Sequence, residues 1–114
     1  MTLCDKNVKD DRIMIKHIVC WKLKNRTEPV EKNSDAIAIK SALENLKGKI
    51  DGLLHLEVGF DYCNTDSAGD IVLYSEFESK EALSNYQKHP LHVEVGQKFV
   101  RPNTCNRRMI DYEV

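Results

Sequence analysis

The first regular feature of the chain is an alternation of side chains. In 14-MIKHIVCWKLK-24, Ile15, His17, Val19, Trp21 and Leu23 alternate with Met14, Lys16, Ile18, Cys20 and Lys22. A period of two marks a β-strand, because successive side chains leave opposite faces of the backbone. The second face is also apolar at its centre, through Ile18 and Cys20. A strand wet on one side has no use for those residues, so the sheet is expected to be covered on both faces.

Residues 25–34 read as a loop in which Asn33 or Ser34 caps the helix that follows, with Asp35 near its positive end. Ala36, Ile39, Leu43, Leu46 and Ile50 recur at steps of three and four, which predicts an amphipathic helix ended by Gly48. A second strand is expected over 53–62, with Leu54, Leu56, Val58 and Phe60 on one face. A third, over 70–77, places Ile71, Leu73 and Phe77 opposite Val72, Tyr74 and Glu76, and pairs with the second as a long-looped hairpin. Ser79 caps a helix over 80–88 whose Ala82, Leu83 and Tyr86 share a face. Pro90 ends that helix, having no N–H to donate, and opens a new helical segment over 90–100 with Leu91, Val95 and Phe99 at steps of four. The last strand, over 105–114, alternates Arg108, Ile110 and Tyr112 with Met109, Asp111 and Glu113.

Strand, helix, strand, strand, helix, strand is the split βαβ order of a ferredoxin-like α+β domain, an antiparallel sheet with helices on one face. The doubly apolar first strand is then unsatisfied in a monomer. A second copy packing sheet against sheet, closing an α/β barrel across a two-fold axis, resolves the conflict, and a homodimer is expected.

At 114 residues the chain fits one domain. Residues 1–13 show no apolar period and read as a flexible leader to a domain over 14–114. The net charge of −1 offers no general attraction to phosphate backbones or anionic lipid, so neither nucleic acid nor membrane is expected as a partner. Cys4, Cys20, Cys63 and Cys105 are scattered without metal-site or dithiol spacing, and read as reduced thiols of a cytoplasmic protein.

Candidate chemistry concentrates in 86-YQKHPLHVEV-95. Tyr86 faces inward with Leu83, and His92 sits just inside the helical segment that Pro90 opens. Such a pair either satisfies the buried hydroxyl or serves a bound molecule by polarising a carbonyl or moving a proton. His89 is expected to cap locally or face solvent. His17 shares the apolar face of the first strand with Val19 and Trp21, which makes it a core histidine or the floor of a ligand pocket. No Gly-rich phosphate loop, nucleophile elbow, HExxH or paired-carboxylate motif is present, so no cofactor is expected.

The blocks 15-IKHIVCWKLK-24, 43-LENLKGKIDGL-53, 76-EFESKEALSNYQKHPLHVEV-95 and 110-IDYEV-114 together resemble the stress-responsive α/β-barrel domain (Dabb) family over nearly the whole chain. The resemblance implies a ferredoxin-like domain that dimerises into a barrel. Many members have no assigned activity, while plant members that close rings on linear polyketides use a Tyr and a His matching Tyr86 and His92, and a strand-one His matching His17 lines their pocket. Leu43 and Ile71 depart from those cyclases, which place polar or aromatic groups there, and the chain is more similar to the uncharacterised branch. Three readings follow. The first is a dimeric stress-related module that binds a small hydrophobic carbonyl compound. The second is a cofactor-free lyase, cyclase or isomerase using Tyr86 and His92, and the third a cofactor-independent monooxygenase. A pocket of several hundred cubic ångströms would favour the enzymes.

Overall fold

The computed structural model describes residues 13–114. The expected leader lies outside the described residues except for Ile13. The elements are β1 (Ile15–Leu23), a single 3₁₀ turn (Val30–Lys32), α1 (Ser34–Glu44), β2 (Leu53–Phe60), β3 (Ile71–Phe77), α2 (Lys80–Lys88), α3 (Pro90–Val95) and β4 (Thr104–Glu113). One sheet holds the strands in the order β2-β3-β1-β4, every neighbour antiparallel. This is the expected ferredoxin-like α+β topology.

Local chemistry sets the boundaries. Asn33 Oδ1 accepts from the Asp35 and Ala36 amides at 2.9 and 3.0 Å, and its Nδ2 donates to the Asn25 carbonyl and the Thr27 hydroxyl, so one buried side chain starts α1 and ties down the preceding loop. The regular helix ends at Glu44, before the expected stop at Gly48, and the chain goes on in turns that still carry Leu46 and Ile50 into the core. Gly52 is needed in that passage: its φ is +84°, and a Cβ there would lie 2.5 Å from the Ala82 side chain of α2.

The odd residues of β1 are buried beneath the helices with Ile39, Leu56 and Phe77. β2 departs from the expected pattern. A register shift between Leu53 and His55 turns Leu54 out to 53% exposure, so it does not share the core face of Leu56 and Val58. On the helix-free face, Ile18 pairs with exposed Ile110 and Cys20 with Arg108, beside Val72 and Tyr74. The segment after Pro90 is shorter and more varied than one helix. α3 ends at Val95, widens into a π turn over Gly96–Val100, and tightens into a 3₁₀ turn over Arg101–Asn103. β4 then pairs with β1 through a bulge, advancing from Arg108 to Cys105 while β1 advances from Cys20 to Lys22, with Asn106 at φ 52°.

Candidate functional site

A cavity of about 580 Å³ lies between the helix layer and the β1–β4 side of the sheet. Its apolar wall is Val19 and Trp21 of β1, Leu73 of β3, Leu43 of α1 and Val100 of the π turn. His17 and His92 enter the same space from the sheet and from α3, and Cys105, Asn106 and Arg107 of the β4 bulge close it. Four of the five residues singled out from sequence therefore line one cavity: His17, Val19, Trp21 and His92.

Tyr86 is placed differently. It is fully buried on the face of α2 shared with Ala82 and Leu83, and stands behind the wall. Its ring centre is 4.2 Å from that of His92, 4.9 Å from Phe77 and 6.4 Å from His17. Tyr86 thus braces both imidazoles. His89 caps α3, its Nδ1 accepting from the Leu91 amide at 3.1 Å.

Closeness does not make Tyr86 and His92 a hydrogen-bonded pair. The Tyr86 hydroxyl and His92 Nδ1 are both buried with no partner among the described residues. A buried polar group left unpaired costs on the order of 1–3 kcal/mol, so two side by side need a reason. Burial alone drives the Tyr86 phenol well above its ordinary value, which keeps it protonated. Burial also lowers the His92 pKa below 6.5; a proton on the neighbouring His17 ring would act in the same direction, as do the Arg107 and Arg101 guanidiniums. The Gln87 carbonyl opposes this from nearby, without forming a hydrogen bond to Nδ1. His92 is thus a neutral imidazole at pH 7.

His17 has what His92 lacks. Its Nδ1 meets Asp111 Oδ1 at 2.5 Å, across the β1–β4 pairing that sets the two residues opposite each other. With Nδ1–H donating to the carboxylate, Nε2 is left as the nitrogen for the cavity. Asp111 carries no local mark of a role in the sequence of the last strand, because its partner depends on a strand register that no local motif encodes. The same holds for the bulge residues. Asn106, of a residue type that tolerates positive φ, was the one local sign of an interruption.

The profile of the stress responsive A/B barrel domain matches residues 15–114. A stress-response A/B barrel domain-containing protein of Arabidopsis thaliana is 34% identical over 102 residues, which are 87% of this chain and 36% of the relative. The chain therefore spans about a third of that relative's length. A dimeric protein of unknown function and ferredoxin-like fold from Bacteroides fragilis is 35% identical, with a TM-score of 0.75 over 89% of this chain and 96% of its own. A hydroxynitrile lyase from Passiflora edulis superposes with a TM-score of 0.72 over 89% of this chain and 93% of its own. At 17% identity that likeness shows the fold alone. Among the described residues no helix is long and apolar enough to cross a membrane.

Proposed function

The chain belongs to the stress responsive A/B barrel domain family, and from that premise we propose that it is a homodimer whose cavity binds a small carbonyl compound and moves a proton on it without a cofactor. This is a lyase, cyclase or isomerase reading. The observation that carries it is the pair of buried, unpartnered polar atoms, Tyr86 Oη and His92 Nδ1, set beside a cavity that two histidines share. A purely structural Tyr–His contact would have joined those atoms in a hydrogen bond.

The roles follow from the surroundings. His17 is the base: when Nε2 takes a proton from the carbon next to the carbonyl, the positive charge formed on the ring lies against Asp111. His92, held neutral by burial, donates a hydrogen bond to the carbonyl oxygen as negative charge develops there. Tyr86 is a positioning residue that braces both rings. The dimeric relative supports a homodimer, for which the apolar helix-free face of Ile18, Cys20 and Ile110 is the surface we assign on physical grounds, and the free thiols of Cys20, Cys63 and Cys105 suit the reducing cytoplasm.

Exchange of the α-protons of 4-phenyl-2-butanone in D₂O, followed by NMR, tests the chemistry. The protein should accelerate exchange, and His17→Gln should reduce that acceleration on the order of 100-fold or more. Asp111→Asn should reduce it by less, while Tyr86→Phe keeps most of it. Exchange no faster than with a folded His17→Gln/His92→Gln protein would leave a binding module as the better reading.

A further inference from the structure

The cavity wall carries charge of one sign. Arg101, which opens the turn before β4, and Arg107, in the β4 bulge, both line it and are both exposed, whereas no Asp or Glu of the described residues lines it. This is a local arrangement, because the chain as a whole carries a net charge of −1.

Neither guanidinium forms an ion pair among the described residues. Arg107 Nη2 donates only a weak hydrogen bond, to the Met109 thioether Sδ at 3.4 Å. Arg26 shows what a structural arginine looks like in the same molecule, since it holds Asp70 through Nε at 2.7 Å and Glu28 through Nη1. The bulge has a part in the arrangement: Cys105, Asn106 and Arg107 all line the cavity, although an uninterrupted strand would send consecutive residues to alternate faces. The two arginines also lie within electrostatic reach of His92, whose charged form they disfavour.

We infer that the ligand of this cavity is an organic carboxylate, its apolar body against Trp21, Leu43 and Leu73 and its carboxylate held at the open side by Arg101 and Arg107. A guanidinium offers a planar fork of donors matched to the two oxygens of a carboxylate, and an apolar body fills a wall that has nothing else to bind. Such a ligand carrying a carbonyl further along its chain would set that group toward His17 and His92. The inference names the ligand class of the site proposed above and rests on its reading as a ligand cavity.

Trp21, the single tryptophan, lines the cavity and reports its occupancy by fluorescence. The probes are 3-phenylpropanoate and its neutral amide, titrated into the full chain. The carboxylate should bind at least about tenfold more tightly than the amide, a difference of about 1.4 kcal/mol. In Arg101→Gln/Arg107→Gln that preference should vanish while amide binding is unchanged, which also shows that the variant is folded. Equal affinities in the native protein would overturn the carboxylate inference and leave the cavity standing as a ligand site. Inorganic phosphate displacing the carboxylate at equal concentration would overturn it in favour of a phosphate site. No fluorescence response to either probe would overturn both the inference and the cavity reading.

Discussion

β1 and β4 lie side by side, paired from Ile15↔Glu113 to Leu23↔Thr104, yet their side chains live in different surroundings. Val19 and Met109 face each other on the helix side of the sheet, the first 1% exposed and the second 47%. The helices pack over β1, β2 and β3, and β4 lies beyond their reach, so only its first residue, Thr104, is buried. Backbone pairing thus holds β4 in place without committing its side chains to the core. Those side chains are free for other work: Asp111 orients His17, Arg107 faces the cavity, and Ile110 lies bare on the helix-free face. Packing is concentrated in β1, and β4 adds across the pairing the Asp111 carboxylate that meets His17 and the Arg107 side chain that lines the cavity.

The same substitution on the two strands gives the largest expected contrast. Val19→Asp places an unpaired carboxylate in the core and should cost about 3–5 kcal/mol. At roughly 4–8 °C per kcal/mol for a domain of this size, that is a Tm loss of more than about 12 °C, or failure to fold. Met109→Asp should stay within about 0.5 kcal/mol of the native protein, as exposed substitutions do. Equal losses in thermal melts would mean that the helix side of β4 is covered in the assembled protein and that the contrast does not survive assembly.

On the helix-free face the two strands become alike, and there the comparison breaks. Ile18 and Ile110 are cross-strand partners, the first half-buried and the second 59% exposed. Ile18→Asp/Ile110→Asp should convert a dimer into a monomer of 13.1 kDa in light scattering, with each protomer still folded by circular dichroism. A double variant that remains dimeric would remove this face as the interface.

How far each strand could be read from sequence follows the same division. β1, β3, α2, the cap at Ser79 and a cap at Asn33 or Ser34 are legible because burial writes a period into the residues and capping is local; the structure makes Asn33 the cap. The end of α1 was misjudged because Leu46 and Ile50 keep the helical spacing while the chain between them passes through turns. The bulge that exposes Leu54 was hidden by a strand pattern that remains regular in sequence. Of the site, His17, Val19, Trp21 and His92 could be found because they belong to periodic or motif-bearing segments. Asp111, Arg101 and Arg107 could not, since their roles depend on register, on a bulge and on where the turns after α3 deliver the chain. Tyr86 was found for its chemistry, and the fold puts it behind the wall because the α2 stripe that identifies it points straight into the core.

The smallest effect is the most specific to the site. Burial lowers the His92 pKa below the ordinary 6.5 that the unfolded chain would show, so the unfolded state takes up a proton before the folded state does. The resulting stability is fully present above about pH 6.5 and is lost as pH falls through that value toward the lower folded one. His92→Gln removes the titrating ring, and it breaks no hydrogen bond to Tyr86 because none exists. At pH 7.5 its Tm should therefore lie within a few degrees of the native protein. Between pH 7.5 and pH 5 the native protein should lose more Tm than the variant, with the curves drawing together as pH falls. Parallel curves would show that the His92 ring is as solvated in the assembled protein as in the unfolded chain, which would remove burial as the force that holds the imidazole neutral. A large loss for His92→Gln at pH 7.5 would instead make the ring a packing element of the same kind as Val19, and the division between a stabilising β1 layer and a site left free for ligand would no longer hold at α3.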